Sequence, residues 1–153
     1  MKAVVQRVRD ASVSVEGSVK GKIKTGVLVY LGVAHNDSEK DADWLSEKII
    51  NLRIFNDKDG KMNLSLKDLM ELSIDCAVLC VSQFTLLADA RKGRRPSYNE
   101  AAQPDKAKQL YEYFIKAVKR WNVICESGEF QAHMMVNYTN DGPVTIILDT
   151  ENN

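Results

Sequence analysis

Residues 25–34 read TGVLVYLGVA, a nearly continuous apolar run bounded by glycine residues. A short run without polar alternation is typical of a strand that is covered on both faces of its sheet. The segment SIDCAVLCVSQFTLLA, residues 73–88, holds a second such run between Ala77 and Val81. Its β-branched residues predict a second central strand. Two central strands need other elements packed against both faces, so these runs indicate a layered fold.

The flanking segments predict further strands. Apolar and polar residues alternate over residues 2–15, which indicates an antiparallel strand with Val5 and Arg7 on one face and Val8 on the other. Residues 53–66, RIFNDKDGKMNLSL, predict a hairpin or a tight loop because Asn, Asp and Gly are concentrated between apolar positions. These strands would lie beside the two central ones.

Two helices and a β-rich end complete the pattern. Asp37 or Ser38 is suited to cap a helix with one apolar stripe, and Pro104 is suited to the first turn of another. Residues 129–139 and 143–150 predict two strands joined by a corner. The order of strands, helix, strand, helix and strands implies an α/β layered fold with a mixed sheet and the helices on one side. The length of 153 residues predicts a single domain, residues 1–153.

Composition limits the classes of function. Lys plus Arg equals Asp plus Glu, at 21 each, so any contact with nucleic acid must come from a local basic patch. Three cysteines without a tight framework predict reduced thiols and a cytoplasmic protein. The first ten residues lack the pattern of a signal peptide, and no run approaches the ~20 apolar residues of a membrane span, so no membrane association is expected.

The sequence offers little support for a metal site or a cofactor. The two histidines, His35 and His133, are far apart, and no pair of ligands has zinc-site spacing. FNDKDG resembles part of a calcium loop, but Phe55 and Leu66 would occupy its first and twelfth positions and cannot coordinate. We therefore expect no metal and no cofactor.

Three polar features have both a structural and a functional interpretation. Ser82 and Thr85 lie at the end of an apolar strand without a nearby base, which favours an ordinary polar pair over a nucleophile. The segment RKGRRP, residues 91–96, is either a solvated loop or a phosphate clamp. Arg7 either extends to the rim of the sheet or binds a backbone carbonyl with its planar fork.

Several segments together resemble one family. They are QRV at residues 6–8, RIF at 53–55, KMN at 61–63, SQFTL at 82–86, KGRRPS at 92–97 and NDGPVT at 140–145. QRV or KMN alone would carry no weight, but SQFTL and NDGPVT at this separation are highly specific. In this order, and over essentially the whole chain, the segments look like those of the D-aminoacyl-tRNA deacylases.

The resemblance implies a fold and an activity. The fold would be a layered mixed, largely antiparallel sheet with a barrel-like core and two main helices. The protein would be a cytoplasmic homodimer with active sites at the subunit interface and tRNA as its partner. It would hydrolyse the ester between a D-amino acid and the 3′-terminal adenosine of tRNA, and also release glycine mischarged on tRNA(Ala). The 2′-OH of that adenosine would assist the attacking water, which is why no triad is needed.

The resemblance also implies roles for individual residues. Gly142 and Pro143 would form a Gly-cisPro corner that reaches into the partner's active site, where its carbonyls exclude L side chains. Arg7 would steady that corner, with Met134 as a further supporting residue. The other roles fall on two groups: catalytic Ser82, Gln83, Phe84 and Thr85, and tRNA-binding Lys92, Arg94 and Arg95.

Two positions depart from the family pattern. Gln131 stands where members commonly have glycine, and Tyr138 stands where an aliphatic residue is usual. Gln131 would bring a side chain close to the expected pocket wall. Two other classes of function are considered beside the deacylase: a non-enzymatic RNA-binding module, which needs only the basic loop, and a general small-ester hydrolase.

Overall fold

The computed structural model describes residues 1–152 of the chain. Within that range the strands are β1 Lys2–Val15, β2 Ser18–Ile23, β3 Gly26–Gly32, β4 Phe55–Asn56, β5 Met62–Leu64, β6 Ala77–Ser82, β7 Ile124–Ser127 and β8 Met135–Asp149. The α-helices are α1 Glu39–Ile50, α2 Leu66–Glu71 and α3 Pro104–Lys119, and two short 3-10 helices cover Phe84–Leu87 and Thr150–Asn152. No helix in this part of the chain is long and apolar enough to cross a membrane.

The helices start where their capping residues predict. Ser38 is the N-cap of α1, and the Asp41 carboxylate accepts the Ser38 backbone N–H at 2.9 Å. Asp37, the alternative cap, instead forms a buried ion pair with the amino group of Met1 at 2.6 Å. Pro104 is the first residue of α3, as its missing N–H favours. Ser65 caps α2, a short helix that the sequence did not indicate.

One long strand, β1, organises the sheet. Its first half pairs antiparallel with β3 and its second half with β2, while β8 pairs antiparallel along its other edge. The two central strands, β3 and β6, are parallel to each other, and β6 is parallel to β7. β2 returns towards β7, where a Cβ on Gly21 would lie 2.8 Å from the Ser127 carbonyl oxygen. The predicted mixed, largely antiparallel, barrel-like core is confirmed.

The sheet is apolar on both faces. All three α-helices pack on one face, where they cover residues such as Val5 and Val29. The other face turns inward and encloses a second cluster that includes Val8 and Leu79. Arg9 is an extra residue in β1, because Val8 pairs with Asn140 and Asp10 with Thr139. This bulge keeps later apolar residues of β1 on the inner face.

The two strands predicted for residues 129–139 and 143–150 are wrong. Residues 129–134 do not form a strand, and the residues on both sides of the predicted corner belong to one strand, β8. Both parts of β8 pair with β1 in the same direction, so the corner is an excursion from a strand and does not reverse the chain. Of the two alternatives for residues 53–66, a hairpin or a tight loop, the hairpin is confirmed as β4 and β5.

Candidate active site

The SQFTL segment forms a turn at the end of β6. Ser82 is the last residue of the strand, and the Gln83 backbone N–H donates to the carbonyl oxygen of Leu31 at 2.8 Å. The 3-10 helix Phe84–Leu87 follows directly. It packs closely over Gly32, because a Cβ there would lie 2.5 Å from Leu87 Cδ2 and 3.0 Å from the Gln83 carbonyl oxygen. A glycine on the neighbouring strand therefore fixes where this turn sits.

A cavity of about 680 Å³ opens beside this turn. Its lining includes Ser82, Gln83 and Phe84 of this turn, together with Tyr111 of α3 and Met134. The structure thus brings three of the four predicted catalytic residues to one cavity, together with Met134, one of the two predicted supporting residues. Thr85, the fourth, lies in the same turn but does not line the cavity.

The side chain of Thr85 is held by its neighbour in the turn. Gln83 Nε2 donates a hydrogen bond to Thr85 Oγ1 at 2.5 Å. An amide N–H cannot take up a proton, so this partner orients the hydroxyl without activating it as a nucleophile.

An exposed aromatic pair includes Phe84, which lines the cavity, and Tyr98 of the loop that follows the SQFTL turn. Phe84 is 57% exposed and Tyr98 is 39% exposed, although both are large apolar side chains. Their rings meet edge to face, with centroids 5.0 Å apart and an interplanar angle of 64°. Tyr98 was not predicted as a site residue, since its only signal in the sequence is its position three residues after Arg95 of the basic segment.

The NDGPVT segment leaves the ladder between β1 and β8. Gln6 pairs with Thr145 and Val8 with Asn140, so residues 141–144 of β8 stand opposite Arg7 alone. Gly142 and Pro143 are exposed at the tip of this excursion, and the bond between them is cis, as the resemblance implied. Gly142 has a φ of +123°, a conformation that L residues rarely adopt.

Arg7 holds the base of the excursion from the helix side of the sheet. It is only 7% exposed, and its Nε donates to the Asp141 carbonyl oxygen at 3.1 Å. Its NH1 donates to the carbonyl oxygen of Ile54 at 2.6 Å. Of the two interpretations of Arg7, the second is confirmed: it binds backbone carbonyls. The RIF segment contributes one of those carbonyls.

Within one chain, the corner does not reach the cavity. Ser82 pairs with Leu31, whose partner on β1 is Ala3, whereas the corner stands opposite Arg7. Strand spacings place the two sites roughly 14 Å apart across the sheet and roughly 13 Å along it. The exposed corner is therefore free to meet something other than its own cavity.

The basic loop is exposed, and one of its cations is committed internally. Arg91 forks onto Asp89, with Nε–Oδ1 and NH2–Oδ2 distances of 2.8 Å each, and these hydrogen bonds hold the pKa of Asp89 well below its usual range. Lys92, Arg94 and Arg95, the three predicted tRNA-binding residues, are all exposed. The loop lies near the cavity in sequence, since it joins the SQFTL turn to α3.

The cysteines lie away from this chemistry. Cys80 and Cys125 are buried, and burial raises the pKa of both thiols, that of Cys125 to about 12. Protonated buried thiols behave as small apolar side chains, as predicted. Within residues 1–152 no three His, Cys, Asp or Glu side chains are grouped as a metal site would require.

Comparison with known proteins identifies the family. The family profile described as D-Tyr-tRNA(Tyr) deacylase matches residues 4–149. The chain belongs to this family. A member from Thermosipho africanus (strain TCF52B), named D-aminoacyl-tRNA deacylase, is 58% identical over 151 residues, which are 99% of this chain and 98% of the relative. The family consists of hydrolytic enzymes, so the non-enzymatic RNA-binding module loses its support.

Solved structures agree with the family fold. One titled "c-Myc DNA Unwinding Element Binding Protein" is 38% identical, with a TM-score of 0.89 over 98% of this chain and 99% of the other. Another, titled "Structural Analysis of a probable eukaryotic D-amino acid tRNA deacylase", has a TM-score of 0.80 over 96% of this chain and 97% of that chain. At 17% identity, that second likeness shows the fold alone.

Gln131 lines the cavity in a left-handed conformation. Its φ is +65°, a backbone conformation that glycine adopts at lower cost than glutamine. We expect Gln131→Gly to raise the free energy of unfolding by about 1 kcal/mol, since relief of the backbone strain exceeds the added entropy of the unfolded chain. Chemical denaturation of the purified protein measures this change.

The matched control is Gln109→Gly, in the interior of α3. Gln109 is an exposed residue of the same type in a regular helix, so this change should lower the free energy of unfolding by about 1 kcal/mol. The two Gln→Gly changes thus have opposite expected signs. A loss of stability in both variants would contradict the assignment of strain to Gln131.

Proposed function

We propose that this protein is a D-aminoacyl-tRNA deacylase that acts as a homodimer in the cytoplasm and rejects L-aminoacyl-tRNA through its Gly142-Pro143 corner. The observation that carries the proposal is the corner itself. It is exposed, it is fixed by the buried Arg7, and it lies too far from its own cavity to serve it. A second copy of the chain supplies a cavity that the corner can enter.

The outer edge of β8 supports the dimer. This strand is 15 residues long and pairs with β1 along one edge only, and long exposed edges are rarely left uncovered in native proteins. Its exposed apolar side chains are unusual for a free surface: Ile147 is 76% exposed and Met135 is 60% exposed. A two-fold contact through this strand would cover both and carry each corner to the partner.

The corner would select against L residues with its main chain. A carbonyl oxygen held in the cavity leaves no space for an L side chain, whatever its chemical type. A side-chain pocket could reject only some L residues. A D residue, and glycine with no side chain, would avoid the carbonyls, so removal of glycine mischarged on tRNA(Ala) is part of the proposal.

The chemistry requires little from the protein side chains. The substrate is an activated ester, and in the proposed mechanism the 2′-OH of the terminal adenosine assists the attacking water. The backbone N–H groups of Phe84 and Thr85, in the first turn of the 3-10 helix, would stabilise the oxyanion. One such donor is worth about 2.7–4 kcal/mol in other enzymes. Ser82 and Gln83 would position the ester at the cavity wall.

Thr85 provides a direct test of this mechanism. If its hydroxyl orients the substrate, Thr85→Ala should lower the single-turnover rate by roughly tenfold, the loss of about one oriented hydrogen bond. Thr85→Ser keeps the hydroxyl that Gln83 holds and should retain most of the rate. Rapid-quench measurement with saturating enzyme gives both rates. Complete loss of chemistry in Thr85→Ala with tRNA binding intact would instead identify Thr85 as the nucleophile.

The terminal base of tRNA would stack on the exposed aromatic pair. Phe84 and Tyr98 present apolar faces beside the cavity, and stacking on an aromatic side chain is the usual way to hold an unpaired base. Such a contact places the 3′-terminal adenosine next to the SQFTL turn. The ester on its ribose then lies over the cavity.

Lys92, Arg94 and Arg95 would bind phosphates of the acceptor stem. Replacing both arginines by alanine should raise the KM for tRNA and reduce the slope of log KM against log salt by about 2, since each phosphate contact releases condensed counterions. Steady-state kinetics over a salt series measures the slope. Lys119→Ala is the control, because its position at the far end of α3 is about 22 Å from Pro104. An unchanged slope in the double variant would exclude this role.

One comparison separates the proposed function from its alternatives. Release of amino acid is followed for D-Tyr-tRNA, L-Tyr-tRNA, Gly-tRNA(Ala) and a free D-tyrosine ester. A D-specific deacylase releases D-Tyr and glycine from tRNA and spares L-Tyr-tRNA, whereas a small-ester hydrolase cleaves the free ester equally well. A protein that only binds nucleic acid releases no amino acid. A separate binding measurement with duplex DNA tests the DNA binding after which one structural relative is named. Absence of D-Tyr-tRNA hydrolysis would refute the proposal.

A further inference from the structure

The excursion of β8 leaves backbone groups without partners in the ladder. Residues 141–144 stand opposite one residue of β1, so their N–H and C=O groups cannot all pair across the strands. Buried or half-buried backbone groups need other partners. On the helix side of the sheet, Arg7 supplies one, because its Nε donates to the Asp141 carbonyl oxygen. The other end of the excursion requires a partner as well.

Asn140 supplies that partner. Its Oδ1 accepts the backbone N–H of Val144 at 3.2 Å, across the whole excursion. Because a backbone N–H can only donate, this bond fixes the orientation of the amide, and Nδ2 must point to the other side. There it donates to Thr145 Oγ1 at 3.1 Å. One side chain thus joins the two residues at which β8 leaves and re-enters the ladder.

The bridge is anchored to β1. Gln6 Nε2 donates to Thr145 Oγ1 at 3.2 Å, so the hydroxyl oxygen of Thr145 accepts from two amides and uses both of its lone pairs. Gln6 and Thr145 are also paired residues of the sheet. The bridge therefore ties the corner to the organising strand, independently of the Arg7 contact.

From these contacts we infer that Asn140 and Thr145 are positioning residues, whose side-chain bridge closes the base of the corner and sets the direction of the Gly142 and Pro143 carbonyls. Arg7 fixes the N-terminal side of the corner and the bridge fixes its C-terminal side. A corner held on only one side could rotate about that fixed side. Its carbonyls would then change direction and no longer exclude an L side chain. The inference rests on the proposed function of the corner.

Two substitutions at Thr145 form a matched test. Thr145→Val keeps the β-branched shape that suits a strand but removes the acceptor, whereas Thr145→Ser keeps the acceptor. Asn140→Ala removes both bonds of the bridge. We expect Asn140→Ala and Thr145→Val to lower the ratio of kcat/KM for D-Tyr-tRNA to kcat/KM for L-Tyr-tRNA at least about tenfold, mainly by admitting L-Tyr-tRNA. Thr145→Ser should keep the wild-type ratio.

Hydrogen exchange provides a readout that does not depend on activity. The Val144 amide should exchange at least about tenfold faster in Asn140→Ala than in the wild-type dimer, because its acceptor is gone. NMR measures this amide individually, and exchange in the core strands reports whether the variant is folded. If Asn140→Ala does not fold, Thr145→Val carries the test, with faster Val144 exchange expected there too.

The outcomes separate the inference from the proposed function. A wild-type protein without D-specific hydrolysis refutes the function and the inference together. An active wild type whose variants keep the D over L ratio refutes the inference alone, whether or not Val144 exchanges faster. Unchanged exchange at Val144 also refutes it, because the bridge then does not hold the corner.

Discussion

Gly142→Ala is expected to lower kcat/KM for D-Tyr-tRNA by about 100-fold, because a corner displaced by about 1 Å inside the partner's cavity would no longer leave the D-amino acid in its reactive position. A Cβ on Gly142 would lie 2.8 Å from NH2 of Arg7 and 2.9 Å from Cγ2 of Val144. Arg7 is anchored on Ile54 and cannot yield freely, so the corner itself must shift. Steady-state kinetics with D-Tyr-tRNA measures the loss.

The control for this change is Gly60→Ala. Gly60 has a φ of +78° and no neighbour within 4 Å of the added Cβ, so the variant carries the strain of a positive φ without a steric contact. Gly60→Ala should lose about 1 kcal/mol of stability from this strain, and Gly142→Ala, with a φ of +123°, should lose more. Only Gly142→Ala should lose activity. Equal activity in the two variants would show that the position of the corner is unimportant for catalysis.

Arg7→Leu is expected to lower the free energy of unfolding by about 3 kcal/mol, because an unsatisfied buried polar group costs about 1–3 kcal/mol and two carbonyls lose their donor. The change leaves the carbonyls of Asp141 and Ile54 without their donor, and it removes one of two guanidinium groups from the Asp141 carboxylate. Thermal unfolding should shift down by roughly 6–12 °C for a chain of this size. Arg7→Lys should recover little, because an ammonium group cannot span both carbonyls.

Arg9→Leu is the matched control for Arg7. Its Nε lies 3.1 Å from the same Asp141 carboxylate, but its side chain is 74% exposed, against 9% for Arg7. An exposed ion pair of this kind contributes about 0.5 kcal/mol. Differential scanning calorimetry measures the unfolding temperature of both variants. The two have the same Arg→Leu change beside the same carboxylate, so their difference reports the effect of burial. A similar shift in the two would mean that the carboxylate, and not the carbonyl contacts, determines the role of Arg7.

Most of the architecture could be predicted from local patterns. The two apolar runs became β3 and β6, and Ser38 and Pro104 marked where α1 and α3 begin. Local patterns did not predict α2, because a six-residue helix has too few positions to show a period. They also divided β8 at the corner, since a Gly-Pro pair usually marks a turn.

The candidate site could be predicted only in part. Sequence similarity identified the SQFTL and NDGPVT segments, and the structure places the first on the cavity wall and the second on an exposed excursion. Neither segment indicated Tyr98, because its contact with Phe84 depends on the path of the loop between them. The bridge between Asn140 and Thr145 depends on side-chain directions at the base of the excursion, which spacing alone does not give.

The class of fold and the family can be read from the order of residues, because apolar period and ordered motifs are properties of the chain alone. The same holds for the glycine at residue 142, where only glycine adopts the backbone without strain. The role of Arg7, in contrast, depends on the folded molecule. Arg7 and Asp141 are 134 positions apart, and they meet only because β1 and β8 pair in one register. Register is set by which faces of both strands are buried, and burial is a property of the whole fold.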